Sequence, residues 1–435
     1  MTLILVLLLA LSGREFTPAP SAEDLWRQGV EQDAEFHTDS ARKLFRAATR
    51  LRPDFLPAHL DYMELMVRSG RHIELRREYD ASKATGIGEC LSVLAWGRSS
   101  HDVPEVRQRY LRLISRYGRT PCSEVAHTVS GDDSVPVAAQ LIRQAITLHG
   151  SSPAMAKAFS VALFREKRSA EALAYLRTAI DSSSGLNGMR YRGLLVTWLF
   201  VAGKEREAIE AIRQMEGQLS RDPRPHLRWV VLEFKRLAAE QKRELVSFFE
   251  IFSGFNSAMY ALAERNNVPG YAFEARFRDA AENIDKGDYV TAVRRLNDAI
   301  RIAESVRSPE FRLRGYLYRG RALVAQGDQP AAIADLRRAS QNARRLHERY
   351  RLVESFQFLG RAYSSRGQWR DAMAAADSFT LHGRGVRDPS KRMILLHEAG
   401  TIYLKAGFHE RSRQYFEEMV RTIDRDQLNF EYAGE

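Results

Sequence analysis

The C-terminal half of the chain repeats itself every 40 residues, and small residues recur at fixed offsets within this period. They form two series, Gly320, Gly360 and Gly400 in the first and Gly287, Gly327, Gly367 and Gly407 in the second. A period of about 20–50 residues with small residues at fixed offsets is typical of a solenoid of stacked helical hairpins. Such a solenoid buries a continuous core between neighbouring hairpins. The pattern therefore narrows the function to binding, although it does not identify the partner.

The first predicted hairpin has alternating bulky and small residues and a closing proline, namely Leu25, Gly29, Ala41, Phe45, Ala48 and Pro53. Small residues allow two helices to approach closely, and the proline ends the preceding helix. This pattern resembles the tetratricopeptide repeat (TPR) family. It recurs over residues 138–145, 172–179 and 208–215 and is weak over residues 56–130. The resemblance implies an all-α fold, a right-handed α-solenoid of about ten to eleven tetratricopeptide-like helical hairpins.

The repeats divide the chain into five predicted segments. They are an apolar signal-like segment and linker (1–20), an N-terminal and partly degenerate TPR-like array (21–221), an irregular aromatic-rich helical junction (222–272), a C-terminal array of four 40-residue TPR-like repeats (273–423) and a tail (424–435). The four C-terminal repeats are predicted to begin near Phe273, Leu313, Val353 and Met393.

Capping residues support this register. Ser152-Pro153, Ser308-Pro309 and Asp388-Pro389 predict helix starts, because Ser or Asp accepts hydrogen bonds from free N–H groups and proline suits the first turn. Gly327, Gly367 and Gly407 are predicted to end the first helix of their hairpins in the left-handed conformation.

The TPR resemblance also implies a binding groove, since the first helix of each hairpin lines the concave face in that family. Helical spacing then selects the inward-facing residues of the last repeats. They are Arg314, Leu317, Arg321, Glu354, Gln357, Arg361, Ser364, His397, Thr401 and Lys405. Arginine binds carboxylates through two parallel hydrogen bonds, so this groove suits an acidic peptide. The asparagines that orient such a peptide in some family members are missing here, and a solvated groove without this ligand is the alternative.

The charge of the chain leaves two interpretations. The net charge is +11, and residues 301–351 hold twelve arginines against five acids. Such a patch attracts an acidic protein, nucleic acid or anionic lipid, whereas arginines spread over solvated faces need no partner. The chain has no zinc-finger spacing, RNP-like motif or short recognition-helix unit, so nucleic acid is not the favoured partner.

No motif in the sequence predicts catalysis or a cofactor. Gly-rich phosphate loops and the Gly-x-Ser-x-Gly elbow are absent. His397-Glu398 and His409-Glu410 each lack the second histidine that a zinc helix needs four residues later. We therefore expect a non-enzymatic protein without a metal or cofactor.

The N-terminus resembles an export signal. Residues 3–11 form an uninterrupted apolar run, too short to span a bilayer, and Ala10-Leu11-Ser12 fits a cleavage site. No basic residue precedes the run. These features favour an extracytoplasmic bacterial protein, periplasmic, secreted or tethered to the membrane through residues 3–11. The alternative is a cytoplasmic protein in which the run belongs to the first solenoid helix.

Cys90 and Cys122 are separated by 32 positions, nearly one repeat. In an exported protein they are candidates for a disulfide, and in the cytosol they are two ordinary small buried residues. The spacing alone does not decide between these states.

These observations predict a protein–protein interaction scaffold or adaptor that binds a partner protein or peptide in its concave groove. The alternative is a ligand-sensing TPR array of a bacterial signalling or transcription-regulatory system. Repeats near 40 residues resemble the sensor arms of such regulators, although this chain has no obvious DNA-binding or kinase module.

Overall fold

A computed structural model of the chain describes residues 19–82, 85–100, 103–130, 136–241, 248–384 and 388–426. Over these ranges it contains 22 α-helices and no β-strand. Consecutive helices contact each other in pairs, which gives eleven hairpins over the described ranges and confirms the predicted right-handed α-solenoid. The predicted signal over residues 3–11 lies outside the described residues.

The helices of the N-terminal half are α1 (Ala22–Ala34), α2 (Thr38–Leu51), α3 (Leu56–Arg68), α4 (His72–Asp80), α5 (Gly86–Ser99), α6 (Val103–Tyr117), α7 (Pro121–Ser130), α8 (Ala139–His149), α9 (Pro153–Arg165), α10 (Ser169–Asp181), α11 (Gly185–Val201) and α12 (Glu205–Leu219). Those of the C-terminal half are α13 (Pro225–Gln241), α14 (Phe248–Arg265), α15 (Pro269–Asp285), α16 (Tyr289–Ser305), α17 (Pro309–Gln326), α18 (Gln329–Leu346), α19 (Arg349–Ser365), α20 (Trp369–Gly383), α21 (Pro389–Lys405) and α22 (His409–Asp426).

The 40-residue period is visible in the helix starts of the last four hairpins. Their first helices begin at Pro269, Pro309, Arg349 and Pro389, four residues before the predicted repeat starts. The predicted junction, residues 222–272, contains the hairpin of α13 and α14 together with the first turn of α15.

The helix ends follow the capping signals in the sequence. Ser308 accepts a hydrogen bond from the Phe311 N–H at 3.2 Å, and Asp388 accepts one from the Ser390 N–H at 3.0 Å. Gly327, at the end of α17, has a φ of 89°. A residue with a Cβ rarely adopts this left-handed conformation, so glycine allows α18 to turn back on α17.

The repeated small residues allow the two helices of a hairpin to pack closely. A Cβ added to Gly320 would lie 2.6 Å from Leu336 Cγ, and one added to Gly400 would lie 2.8 Å from Phe416. The larger residue on the second helix therefore fills the space that glycine leaves on the first. This contact explains why a small residue recurs at the positions of Gly320 and Gly400.

A disulfide between Cys90 and Cys122 joins α5 to α7, with the Cα atoms 6.3 Å apart. The two cysteines lie on adjacent inner helices that also pack directly against each other. The structure thus supplies the geometry that the spacing in the sequence left open. The bridge lies in the segment 56–130, where the TPR pattern is weakest.

The two halves of the solenoid are in contact because the superhelix folds back on its own first turns. The Ser308 hydroxyl donates to the carbonyl of Gly70 at 2.8 Å, and the Ile73 N–H donates to Glu310 at 3.0 Å. Arg76 of α4 reaches the turn between α18 and α19, where it donates to Leu346 O at 2.8 Å. These bonds stack the C-terminal array against the α3–α4 hairpin.

No described helix is long and apolar enough to cross a membrane. The buried apolar residues instead form long cores between the helix layers. One extends from Val30 to Val231 and another from Ile300 to Tyr415. A smaller cluster that includes Phe36, Trp229 and Tyr271 lies between the two halves of the chain.

Candidate binding surfaces

The first helices of the last four hairpins, α15, α17, α19 and α21, line one continuous surface, which we call the C-terminal groove. Side-chain contacts run between successive first helices. Arg314 of α17 binds Glu274 of α15, and Gln357 of α19 donates to Glu398 of α21 at 2.9 Å. The predicted groove residues therefore lie on helices that the fold does place side by side.

Arg314 is held within the wall of this groove. Its Nη2 donates to Glu274 Oε2 at 2.9 Å, and its guanidinium lies 4.1 Å from the centre of the Phe277 ring. Burial acts to raise the pKa of Glu274, but Arg314 is close enough to lower it below its usual value. Arg314 thus already has a carboxylate partner within the protein.

Leu317 does not line an accessible surface. Its side chain is 2% exposed and belongs to the C-terminal core. The prediction that Leu317 faces the groove is therefore wrong. The four-residue step from Arg314 leads to Tyr318, which is half-buried and contacts the ring of Phe277.

Arg321 and Arg361 flank one half-buried aromatic ring. The guanidinium carbons lie 5.9 Å and 5.0 Å from the centre of the Phe358 ring. Arg321 is 40% exposed, and its nearest carboxylate, on Asp285, is 3.9 Å away. We call Arg321, Phe358 and Arg361 the Arg–Phe–Arg platform. The predicted groove residues did not include Phe358, because helical spacing selected its neighbour Gln357 and then Arg361 on this helix.

Glu398 anchors the α21 side of the platform. It accepts hydrogen bonds from Gln357 and from Arg361, which fixes the direction of both donors. Glu354, one turn before Phe358, is half-buried, and burial raises the pKa of its carboxyl group. Three of the predicted residues, Gln357, Arg361 and Glu354, therefore belong to one face of α19.

The remaining predicted residues lie on α21, beyond the platform. His397 is exposed, with its ring 6.0 Å from that of Phe416. Thr401 is half-buried and Lys405 is exposed near the end of the helix. The structure does not join these three side chains to Arg321 through any contact. A partner would have to extend along the groove to meet both groups.

A second concave region, the inner cavity, lies between first helices of the N-terminal half and the first helices α13 and α15. It has a volume of about 360 Å³ and is lined by residues of α3, α5, α9, α11, α13 and α15. No local sequence pattern predicts it, because Glu64 and Tyr271, which both line it, are 207 positions apart. Within the described residues, no group of three or more His, Cys, Asp or Glu side chains could hold a metal ion in either region.

The sequence matches no protein-family model and no curated protein. The fold is similar to that of a signal transduction ATPase with numerous domains, a protein with a tetratricopeptide repeat sensor from Pyrococcus horikoshii. The TM-score is 0.54 at 9% identity, over 94% of this chain and 74% of that one.

Weaker similarities extend to the human IFIT1 dimer with m7Gppp-AAAA, with a TM-score of 0.40 at 13% identity over 93% of this chain and 91% of that one. The Rap protein complexed with Competence and Sporulation Factor gives 0.38 at 11% identity, over 80% and 98%. At these identities the likeness concerns the fold alone. The chain is a TPR-like helical-repeat solenoid.

Proposed function

We propose that the protein is a non-enzymatic scaffold or adaptor that holds an acidic segment of a partner protein in its C-terminal groove. The observation that carries this proposal is the Arg–Phe–Arg platform. Arg321 remains 40% exposed with only a distant carboxylate at 3.9 Å, so it is available for an acidic group of a partner. Phe358 offers an apolar surface directly beside it.

The two arginines of the platform have different roles in this proposal. Arg361 is held by Glu398, so it positions the ring of Phe358 more than it binds a new anion. Arg321 binds the carboxylate, since guanidinium and carboxylate groups form paired hydrogen bonds. A fitting segment therefore carries an acidic residue next to an apolar one.

The proposal is tested with the double variant Arg321→Glu/Phe358→Ala. Partners are first identified by crosslinking and mass spectrometry in the native host. A synthetic peptide of the captured partner's acidic segment is then titrated against the purified chain by fluorescence anisotropy. We expect the double variant to lose binding by at least about tenfold, because one charge-assisted contact and one apolar contact are removed.

The matched control is Arg370→Glu. Arg370 is exposed on α20, the outer helix of the same hairpin, and this substitution makes the same change in charge. It should leave binding unchanged. Equal binding by the double variant and the wild type, with both folded by circular dichroism, would exclude the groove as the binding site.

We also propose that the protein acts outside the cytoplasm. The apolar run over residues 3–11 and the Cys90–Cys122 disulfide support this location, because disulfides persist in oxidising compartments. N-terminal sequencing of the native protein should then begin near Gly13. Retention of Met1 in a soluble cytosolic fraction would contradict this location.

Ligand sensing is the second candidate function, and the inner cavity is the observation that favours it. Its volume of about 360 Å³ lies within the range of small-molecule sites in proteins. A sensor would bind a small molecule there without involving the C-terminal groove. Binding of a small ligand by a variant with a disrupted Arg–Phe–Arg platform would therefore separate the two functions.

A further inference from the structure

Two carboxylates line the inner cavity, Glu64 and Glu233. Glu233 is already paired with Arg236 and Arg278. Glu64 of α3 is close enough to Arg68, Arg98, Lys157 and Arg190 for all four to act on its charge. Burial alone would raise the pKa of Glu64, but these cations outweigh it and lower the pKa to about 2. Glu64 is therefore ionised at every physiological pH, and four positive side chains lie near it.

Two of these cations are already neutralised by carboxylates of the protein. Arg190 donates to Asp61 at 2.9 Å and to Glu64 at 2.8 Å. Arg68 donates to Asp33 at 2.8 Å. These three carboxylates thus lie closest to Arg68 and Arg190. The positive charges of Arg98 and Lys157 are therefore less well neutralised.

Arg98 has unused hydrogen-bonding capacity. Its nearest carboxylate oxygen, on Glu64, is 3.9 Å away, too far for a hydrogen bond. Its Nε is buried and has no hydrogen-bond partner among the described residues. Burial, together with the neighbouring Arg190, lowers the pKa of Arg98. A buried donor without an acceptor is costly, so this guanidinium would gain from an added anion.

Lys157 carries the charge that remains. In the part of the chain that the structure describes, its amine forms no ion pair, and its side chain is exposed to the solvent in the cavity. Burial of the surrounding site and repulsion by Arg98 and Arg190 lower the pKa of Lys157, while Glu64 opposes this shift. An anion beside Lys157 would relieve the repulsion that these three cations now exert on one another.

Apolar side chains also line the cavity. Leu194, Trp229 and Phe234 line it together with the charged residues. Phe234 lies directly over Gly193, where an added Cβ would be 2.2 Å from its ring. The glycine therefore lets the Phe234 ring lie against α11. A lining that combines charged and aromatic side chains is typical of a site for an amphipathic small molecule.

We propose that the inner cavity binds a small organic anion, with its carboxylate or phosphate group beside Arg98 and Lys157 and its apolar body against Leu194, Trp229 and Phe234. The volume of about 360 Å³ suits a molecule of this kind, and an adjoining cavity of about 330 Å³ shares Glu64, Arg98 and Lys157. This site is separate from the C-terminal groove and does not depend on partner binding there.

The test is isothermal titration calorimetry of the full chain with phenyl phosphate and with phenylacetate, which distinguish a phosphate from a carboxylate site. Benzyl alcohol and inorganic phosphate are the probes that lack, respectively, the charge and the apolar body. We expect at least one aromatic anion to bind and both incomplete probes to bind about tenfold more weakly or worse, because each lacks one half of the recognition.

The variant Lys157→Met removes the charge and keeps most of the side-chain length. It should weaken binding of the aromatic anion about tenfold or more, since a hydrogen bond to a charged group is lost. Lys405→Met, an equal change at an exposed lysine of the groove, should have no effect. Arg98→Met tests the same site independently if Lys157→Met fails to fold, as judged by circular dichroism and thermal unfolding.

Three outcomes would overturn the proposal. In the first, neither aromatic anion binds. In the second, the wild type and a folded Lys157→Met or Arg98→Met variant bind the anion equally. In the third, Arg321→Glu/Phe358→Ala loses anion binding. The last result would place the anion in the C-terminal groove. Retained anion binding in that variant would support a separate inner site even if the groove were found to bind no partner.

Discussion

At the scale of single residues, helical spacing decides which side chains are structural and which are available. Leu317 and Tyr318 are neighbours on α17, yet Leu317 is buried and Tyr318 is half-exposed beside Phe277. Leu317 and Tyr318 are three and four residues after Arg314, and both spacings bring a residue near the same face of a helix. The packing of the neighbouring helices then decides which of the two is buried. A groove assigned from helical spacing alone therefore includes residues of the core.

We predict that Leu317→Ala lowers the free energy of unfolding by about 2–5 kcal/mol, because it leaves a cavity in a close-packed core. Leu404→Ala is the control. Leu404 lies on α21 and is 47% exposed, so its truncation should cost about 0.5 kcal/mol or less. Chemical denaturation of both variants measures the difference. Equal stability of the two variants would contradict the placement of Leu317.

Glu282 of α15 gives a pH-dependent prediction. Burial raises the pKa of Glu282 to about 7, while a hydrogen bond from Asn256 at 2.9 Å partly opposes the shift. The folded chain therefore holds this proton more tightly than the unfolded chain, whose pKa is near 4.5. Protonated Glu282 therefore contributes its full stabilisation to the free energy of unfolding below pH 4.5. This contribution is lost as the pH rises to about 7.

Glu282→Gln should accordingly make the protein more stable than the wild type at pH 8, by about 1–3 kcal/mol, and the difference should vanish near pH 4. Urea denaturation of both proteins between about pH 4 and pH 8 measures this difference in the free energy of unfolding. Because the other titrating groups are the same in both proteins, their contributions cancel in the comparison. A difference that stays constant with pH would show that Glu282 has an ordinary pKa in the folded protein.

At the scale of helices and hairpins, the sequence predicts the helix bounds well only where the repeat is regular. The last four hairpins have first helices that start 40 residues apart, and the left-handed glycines after these helices, Gly287, Gly327, Gly367 and Gly407, recur at the same interval. Between residues 56 and 130 the small positions are not kept, and hairpins there were predicted only weakly. The structure nevertheless packs Gly97 closely against Val129, where an added Cβ would lie 2.5 Å away. Here a small residue lets α5 approach α7, the first helix of the next hairpin, rather than its own partner helix.

The disulfide belongs to this irregular segment. It closes a loop with a sequence separation of 32 between α5 and α7. In the chain-entropy account, such a bridge stabilises the fold by about 3.5–4 kcal/mol, because it restricts the unfolded chain. We predict that a reducing agent lowers the unfolding midpoint of the wild type. The double variant Cys90→Ala/Cys122→Ala should have the lower midpoint with or without reductant. An equal midpoint for wild type and variant under oxidising conditions would show that the bridge is not formed.

At the scale of the whole molecule, the candidate sites depend on contacts that no local pattern encodes. The inner cavity brings together Glu64, Arg190 and Trp229, which come from three helices far apart in the sequence. Arg68 binds His226 at 2.9 Å and also donates to Tyr271, and so links α3 to the hairpins that follow the N-terminal array. A repeat in the sequence predicts contacts only between hairpins that follow one another along the chain. It therefore predicts the solenoid but not the way in which one superhelical turn lies against the next.

Gly270 lies at the closest approach between these turns. A Cβ added there would be 2.0 Å from the carbonyl oxygen of Arg68 and 3.3 Å from the Cα of Ser69, so backbone would have to move. Gly270→Ala should therefore lower the free energy of unfolding by about 1–3 kcal/mol or more, although alanine favours the helix. Gly217→Ala, on an open face of α12 with no atom within 4 Å, should instead raise it by about 0.5–1 kcal/mol.

Hydrogen exchange distinguishes a general loss of stability from separation of the two turns. If Gly270→Ala separates them, protection should fall first at the Ile73 N–H, which donates to Glu310 across the contact. The amides of α21, which lies remote from it, should keep their protection. A uniform loss of protection along the chain, or equal stability of Gly270→Ala and Gly217→Ala, would contradict the close packing of α3 on α15. Because Arg68 and Tyr271 line the inner cavity from these two helices, the same variant should also weaken anion binding there.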